Sequence, residues 1–275
     1  MASQEVQTQS KTGKPEREEG LGATMSFLEH LEELRRRIFL AAIGVIVGFC
    51  FCFAYADTIY GFMEKPLLKA FAAHGMVGQK LGYLNPIDPF NLYIKLALIA
   101  GLFLASPWVL YQVWLFISPG LYKKERRYVV PFVSCTSALF IIGGVFAYRY
   151  AFPIALDFLV GYAHRFQPFV TINEYFDLFA TVILGLGLVF ELPTLIFFLS
   201  LLGIVNARFL LKNFRYAVLA IFVVAAVITP TSDITTMLVF ATPMLLLYAV
   251  SIGVAYVFGK DRRERRRQKK AAGAA

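Results

Sequence analysis

Six apolar runs divide this chain: Ile38 to Ala56, Pro89 to Leu115, Val129 to Tyr150, Ile172 to Leu202, Phe214 to Ile228 and Met237 to Phe258. Crossing the roughly 30 Å hydrocarbon core of a bilayer takes about 20 mostly apolar helical residues. Lipid offers no partner to a backbone N–H or C=O, so only helices and closed barrels span it. Barrel strands would read as alternating segments of roughly ten residues, and the chain has no such pattern. Hydrophobic residues make up 58%, charged residues only 16%, and mean hydropathy is +0.63, outside the range of a soluble globular domain. The expected fold is an all-α polytopic membrane protein with six transmembrane helices.

Lys and Arg near the ends of spans are retained in the cytoplasm, and here they alternate by side. Arg35, Arg36 and Arg37 precede run one; Lys123, Lys124, Arg126 and Arg127 follow run two; Arg208, Lys212 and Arg215 follow run four. A tail from Lys260 to Lys270 is strongly basic. Both termini are therefore expected in the cytoplasm. The net charge of +9 reads as topology plus attraction to anionic lipid headgroups, with no nucleic-acid partner expected. Residues 1–24 are polar and lack the apolar core of a signal peptide, so a disordered cytoplasmic extension is expected there. Residues 25–258 form the expected membrane domain and 259–275 a basic cytoplasmic tail. A true start at Met25 would account for the polar stretch before it.

Local signals refine the picture. Asp57 to Asp88 reads as an outer loop, partly apolar from Ile59 to Phe71, broken at Pro66, then Gly-rich from Gly75 to Gly82. Asp88-Pro89 predicts a carboxylate N-cap with proline at the first helical position. Thr171-x-x-Glu174 has the capping-box pattern. Run four as one helix would be about 45 Å long, and run five only about 22 Å, at 1.5 Å per residue. The first must tilt or project, and the second predicts local thinning of the bilayer.

Catalytic patterns are missing. Cys50, Cys52 and Cys135 lie inside expected spans without metal or disulfide spacing, and His30, His74 and His164 are far apart in sequence. No nucleophile elbow or phosphate-cradling loop occurs, so neither an enzyme nor a cofactor or metal site is expected. A membrane-embedded protease would need a Ser–His pair within the spans, and the histidines lie outside them.

Three carboxylates remain. Glu191, in Phe190-Glu-Leu-Pro193, stands in the apolar run four, where an ionised carboxylate costs at least about 2.5 to 3.5 kcal/mol. It is expected to face protein or a concave hydrated surface, and Pro193 frees the carbonyl of Val189 and permits a kink. Glu33 and Glu125 sit in the two most basic segments, Glu33 in LEELRRR and Glu125 between Lys124 and Arg126. There a helical Glu33 to Arg37 pair at i,i+4 would contribute about 0.2 to 0.5 kcal/mol. Asp57, Asp177 and Asp233 read as helix-end or turn residues, and Lys95 and Arg149 as snorkelling side chains.

Taken in order, the motifs resemble the TatC family of twin-arginine translocases. They are His30-Leu-Glu-Glu-Leu-Arg-Arg-Arg37, Pro66-Leu-Leu-Lys69, Ser106-Pro-Trp-Val-Leu-Tyr-Gln-Val-Trp-Leu-Phe-Ile-Ser-Pro-Gly-Leu-Tyr-Lys-Lys-Glu-Arg-Arg127, Phe152-Pro-Ile-Ala-Leu-Asp-Phe-Leu159, Phe190-Glu-Leu-Pro193 and Ile228-Thr-Pro230. The resemblance runs from Met25 to about Val257. It implies a receptor in the cytoplasmic (inner) membrane for signal peptides bearing paired arginines on folded cargo. It further implies single-span TatA- and TatB-type partners, several copies of this chain in the complex, and transport driven by the proton-motive force. By the same likeness Glu33, Arg35, Phe116 and Glu125 form the signal-peptide site. Pro66 and Glu191 are implied to matter for transport, and Thr229 and Asp233 fall where partners bind. A proton-coupled transporter of a small solute is the alternative, because it too places a lone carboxylate mid-membrane. Such transporters show inverted repeats with matched helix breaks, which this sequence lacks.

Overall fold

The computed structural model describes residues 27–76, 78–117, 129–162, 169–202, 204–229 and 233–272, and these are helical apart from short turns. The chain runs α1 (Phe27–Ala54), α2 (Ala56–Ala73), α3 (Asp88–Ile117), α4 (Val129–Phe146), a π turn (Ala147–Ala151), α5 (Phe152–Tyr162), α6 (Ile172–Val189), α7 (Leu192–Leu202), α8 (Ala207–Lys212), α9 (Phe214–Ile228) and α10 (Ile234–Ala272). Among the described residues, five stretches are long and apolar enough to cross a membrane: Leu28–Ala54, Asp88–Phe116, Phe132–Tyr162, Ile172–Ser200 and Ile234–Tyr256. Helix α9, with 15 residues, is a shorter apolar helix, as the brevity of run five implies. Residues 1–24, expected to be disordered, lie outside the described residues.

Helices α1 and α3 run antiparallel and meet backbone to backbone. A Cβ on Gly48 would stand 2.6 Å from the Gly101 carbonyl oxygen, and one on Gly101 would stand 2.6 Å from the Phe49 nitrogen. Small residues let membrane helices approach this closely, where dispersion and local hydrogen bonds replace a hydrophobic drive. One such bond is present: the Trp108 indole N–H of α3 donates to the Leu40 carbonyl of α1 at 2.8 Å. The register then places His30 opposite Phe116 and Arg37 opposite Gln112, and beyond the end of α1 the first turn of α2 brings Asp57 to Tyr93.

Around this pair the core is built by α2, α5, α6 and α10. Met63, Leu67, Phe152, Leu156, Val182, Leu186, Phe240 and Met244 are each at most 2% exposed. A second cluster joins α3, α4 and α7, with the Trp114 ring edge-on to Phe132 and Phe198 at centroid distances of 4.1 and 5.6 Å.

Several sequence expectations need correction. Helix α2 passes through Pro66 without a break. It ends instead at His74, followed by Gly75 at φ 74°, a conformation that favours glycine. The Asp88 carboxylate does not cap α3: it accepts from the Asn85 and Leu84 amides at 2.9 and 3.3 Å and closes the turn before the helix. The Thr171 cap is present, its hydroxyl accepting from the Glu174 amide at 3.3 Å. Beside it Gly82 and Thr171 form a parallel bridge, the Ile172 amide donating to the Gly82 carbonyl at 2.8 Å, which ties the loop after α2 to the start of α6. Asp177 lies inside α6, where it pairs at 3.9 Å with Lys95, whose ammonium also stands 5.5 Å from the Phe176 ring centroid. Run three continues beyond Tyr150 to Tyr162 because the π turn lets it past Pro153, with the Phe152 amide reaching the Ala147 carbonyl. Run four is not one helix: it breaks at Phe190 and Glu191 between α6 and α7.

A side chain at position 101 has no room without moving α1. Gly101→Leu is expected to destabilise the protein by about 1 to 3 kcal/mol, the usual range for overpacking, seen as a lower unfolding temperature in detergent. Gly253→Leu serves as the control, since a Cβ there meets nothing within 4 Å.

Candidate functional site

His30, Glu33 and Arg37 fall at i, i+3 and i+7, so α1 presents them on one face. That face meets the last turns of α3. The His30 ring stacks on Phe116 with centroids 4.4 Å apart and planes 17° from parallel. Arg37 donates through Nη2 to Glu33 Oε1 and through Nη1 to Gln112 Oε1, each at 3.3 Å. The Glu33 and Arg37 side chains are only 17% and 22% exposed, and Gln112 is 2% exposed. Glu33 Oε2 and Arg37 Nε are buried without a hydrogen-bond partner among the described residues. The result is a sheltered carboxylate with one oxygen engaged and the other buried without a partner among the described residues, near an aromatic pair.

Arg35 is placed differently. Two residues from Glu33, it points to the other side of α1, is exposed, and lies 5.8 Å from the centroid of Phe39. The structure thus brings together Glu33 and the Phe116 region, and sets Arg35 apart. Glu125 lies outside the described residues. His30 and Gln112 were not singled out from sequence. A signal existed for each: His30 sits one turn before Glu33 on the same face, and Gln112 is an amide inside an apolar run.

Pro66 is buried within α2. Lacking an N–H, it leaves the Phe62 carbonyl without its helical donor, and the Tyr148 hydroxyl from the π turn donates to that oxygen at 2.9 Å. The neighbouring Met63 carbonyl takes a second hydroxyl, from Tyr175 of α6, at 2.6 Å. Two tyrosines therefore pin α2 to the third and fourth long helices.

Glu191 occupies the break between α6 and α7. Its amide donates to Leu188 and its carbonyl accepts from Leu195, at 3.1 and 2.9 Å, while its Oε1 is buried without a partner among the described residues. Gly143 of α4 makes space for the break, since a Cβ there would stand 2.8 Å from the Phe190 Cβ. At the far end of α9 the Thr229 hydroxyl, buried, donates to the Ala225 carbonyl at 2.6 Å. Asp233 Oδ2 accepts from the Thr236 amide at 2.7 Å and so opens α10. Among the described residues no group of three His, Cys, Asp or Glu is arranged to hold a metal.

These features define a multi-span membrane protein with polar sites set into its helices. A family model described as Sec-independent protein translocase protein (TatC) matches residues 29–243. The protein of that name from Koribacter versatilis is 60% identical over 248 residues, which cover 90% of this chain and 91% of that relative. The one from Aquifex aeolicus is 31% identical over 243 residues, 87% of this chain and 98% of the relative. A crystal structure of the twin arginine translocase receptor TatC matches with a TM-score of 0.72 at 32% identity, over 84% of this chain and 99% of that one. The chain belongs to the TatC family of Sec-independent protein translocases. It is a component of protein translocation, which overturns the small-solute transporter alternative.

The Pro66 arrangement makes a checkable demand. Tyr148→Phe is expected to cost about 0.5 to 1.5 kcal/mol, the usual worth of one hydrogen bond. In a Pro66→Ala background the restored amide satisfies the Phe62 carbonyl, and the same substitution should cost close to nothing. A double-mutant cycle on detergent unfolding reads the difference.

Proposed function

We propose that this chain is the receptor subunit for twin-arginine signal peptides on folded precursors, set in the cytoplasmic membrane. Six spans, with α9 as the fifth, put both termini, the basic tail of residues 259–275 and the Glu33 site in the cytoplasm. The observation that carries this reading is Glu33: a sheltered carboxylate with an open oxygen, at the arginine-rich end of α1, facing Gln112 and the His30–Phe116 ring pair. A guanidinium offers two parallel N–H donors to a carboxylate, whereas an ammonium is a point charge on a flexible stem. Glu33 receives one arginine of the pair and Glu125 the other, while Phe116 packs against the apolar residues of the signal. Arg35, on the solvated side of α1, contributes to the positive rim that repels stray cations.

Transport also involves TatA- and TatB-type single-span partners, further copies of this chain, and the proton-motive force. Thr229 and Asp233 flank the short α9 hairpin where such partners dock, and Pro66 keeps the α2 cap fastened. Glu191 serves as a hydrogen-bonding group at a helix break, its Oε1 available to a partner or signal helix entering the bilayer.

Two measurements test this. Binding of an arginine-pair peptide should fall by about ten- to a hundredfold in Glu33→Ala and in Glu125→Ala, the equivalent of one charge-assisted hydrogen bond; equal crosslinking yield in wild type and Glu125→Ala defeats the two-carboxylate clamp. For Glu191, export in intact cells should survive Glu191→Gln, which keeps the hydrogen-bonding capacity, and drop severely in Glu191→Ala. Full export in Glu191→Ala removes that residue from the mechanism, and loss in Glu191→Gln points to a proton relay instead.

A further inference from the structure

Glu33 already holds a guanidinium before any peptide arrives. Arg37 reaches Glu33 Oε1 through Nη2 and Gln112 Oε1 through Nη1, both at 3.3 Å, so its charge is shared between an anionic acceptor on its own helix and a neutral one on α3. Neither contact is a fork. Glu33 Oε2 and Arg37 Nε are both buried and unpartnered among the described residues, so the resident pair is incomplete on each side. A buried charged atom that lacks its hydrogen bond is costly to maintain. An i,i+4 pair formed only to stabilise α1 belongs on the exposed surface, whereas this one is sheltered against Gln112, itself 2% exposed.

Building on the receptor reading, we propose that Arg37 is a resident competitor for Glu33, and that Gln112 is the positioning residue onto which it moves when a signal arginine binds. In the empty receptor Arg37 screens the carboxylate. When a peptide guanidinium approaches, it gives Glu33 the second N–H···O bond that Arg37 does not make. Arg37 then releases Oε1 and stays on Gln112 without leaving the site. Because Gln112 is uncharged, it holds Arg37 without trapping it. Every ligand must therefore displace an arginine. A lysine ammonium makes a single point contact and gains nothing over the resident, so the displacement step widens the preference for arginine over lysine.

The test uses the full-length protein in lipid nanodiscs, with a fluorescent arginine-pair peptide and its lysine-pair counterpart read by anisotropy. Arg37→Gln keeps a hydrogen-bonding side chain and removes the competitor. It should bind the lysine-pair peptide about tenfold more tightly and the arginine-pair peptide much less so, an effect of the size of one charged contact. Arg37→Lys should give an intermediate ratio. Gln112→Leu deprives Arg37 of its second acceptor, so arginine-pair binding should weaken about fivefold. The double variant Arg37→Gln with Gln112→Leu should return to the level of Arg37→Gln alone. A merely structural Gln112 would leave the double variant as defective as Gln112→Leu, and that result overturns the proposal. So does an arginine-to-lysine ratio in both Arg37 variants equal to that of wild type. A wild-type protein that fails to prefer arginine, or a Glu33→Ala protein that binds as wild type does, removes the receptor reading itself, which the first two outcomes leave standing.

Discussion

The contact between Gly48 and Gly101 governs how the rest of the molecule is arranged. Two helix backbones touch there, and once they touch, the antiparallel register of α1 and α3 has no freedom left. That register carries Arg37 to Gln112 near one end, and just past the other end, in the first turn of α2, Asp57 accepts from the Tyr93 hydroxyl at 2.8 Å. In lipid the packing of small residues is a main source of association between helices, so a position that admits only hydrogen in place of a side chain organises polar groups several turns away.

Polar groups elsewhere follow one rule: each is answered by a neighbour or gathered where water and ligands reach. The Phe62 and Met63 carbonyls of α2 take tyrosine hydroxyls, and the Leu40 carbonyl takes an indole N–H. Ser251 and Thr242 return their hydroxyls to carbonyls one turn back in α10. Among the described residues the exceptions are Glu33, Arg37, Ser137, Glu191 and Ser200, each with a buried polar atom that lacks a partner, and Glu33, Arg37 and Glu191 are groups on which the proposed chemistry draws.

Much of the helical pattern was readable beforehand, because membrane length is a coarse signal that survives without tertiary knowledge. Each apolar run falls on helix, though run four divides into two helices and run three extends to Tyr162; the brevity of run five was correct, and the i,i+4 spacing of Glu33 and Arg37 did form a pair at 3.3 Å. What escaped depended on partners distant in sequence. Asp177 looked like a helix end and instead meets Lys95 across the bundle. Asp88 looked like a helix cap and instead closes the preceding turn, because the Leu84 and Asn85 amides lie nearer. Run four read as one apolar run in which Pro193 permitted a kink, and that Gly143 leaves room for Phe190 at the break is visible only once α4 lies against it. The Glu33 carboxylate was legible as a candidate; the signals for His30 and Gln112, a shared helix face and an amide in an apolar run, gain meaning only once α3 is seen to lie against α1.

Pro66 shows how an omission can act as an address. By withholding one amide it marks the Phe62 oxygen, among all those along α2, as the place where the tyrosine of the π turn attaches. Successive residues of an α-helix are rotated by about 100°. Shifting the imino acid by a single position would therefore turn the exposed oxygen a quarter of the way around its axis, and the cap would lose its bearing on the bundle beneath.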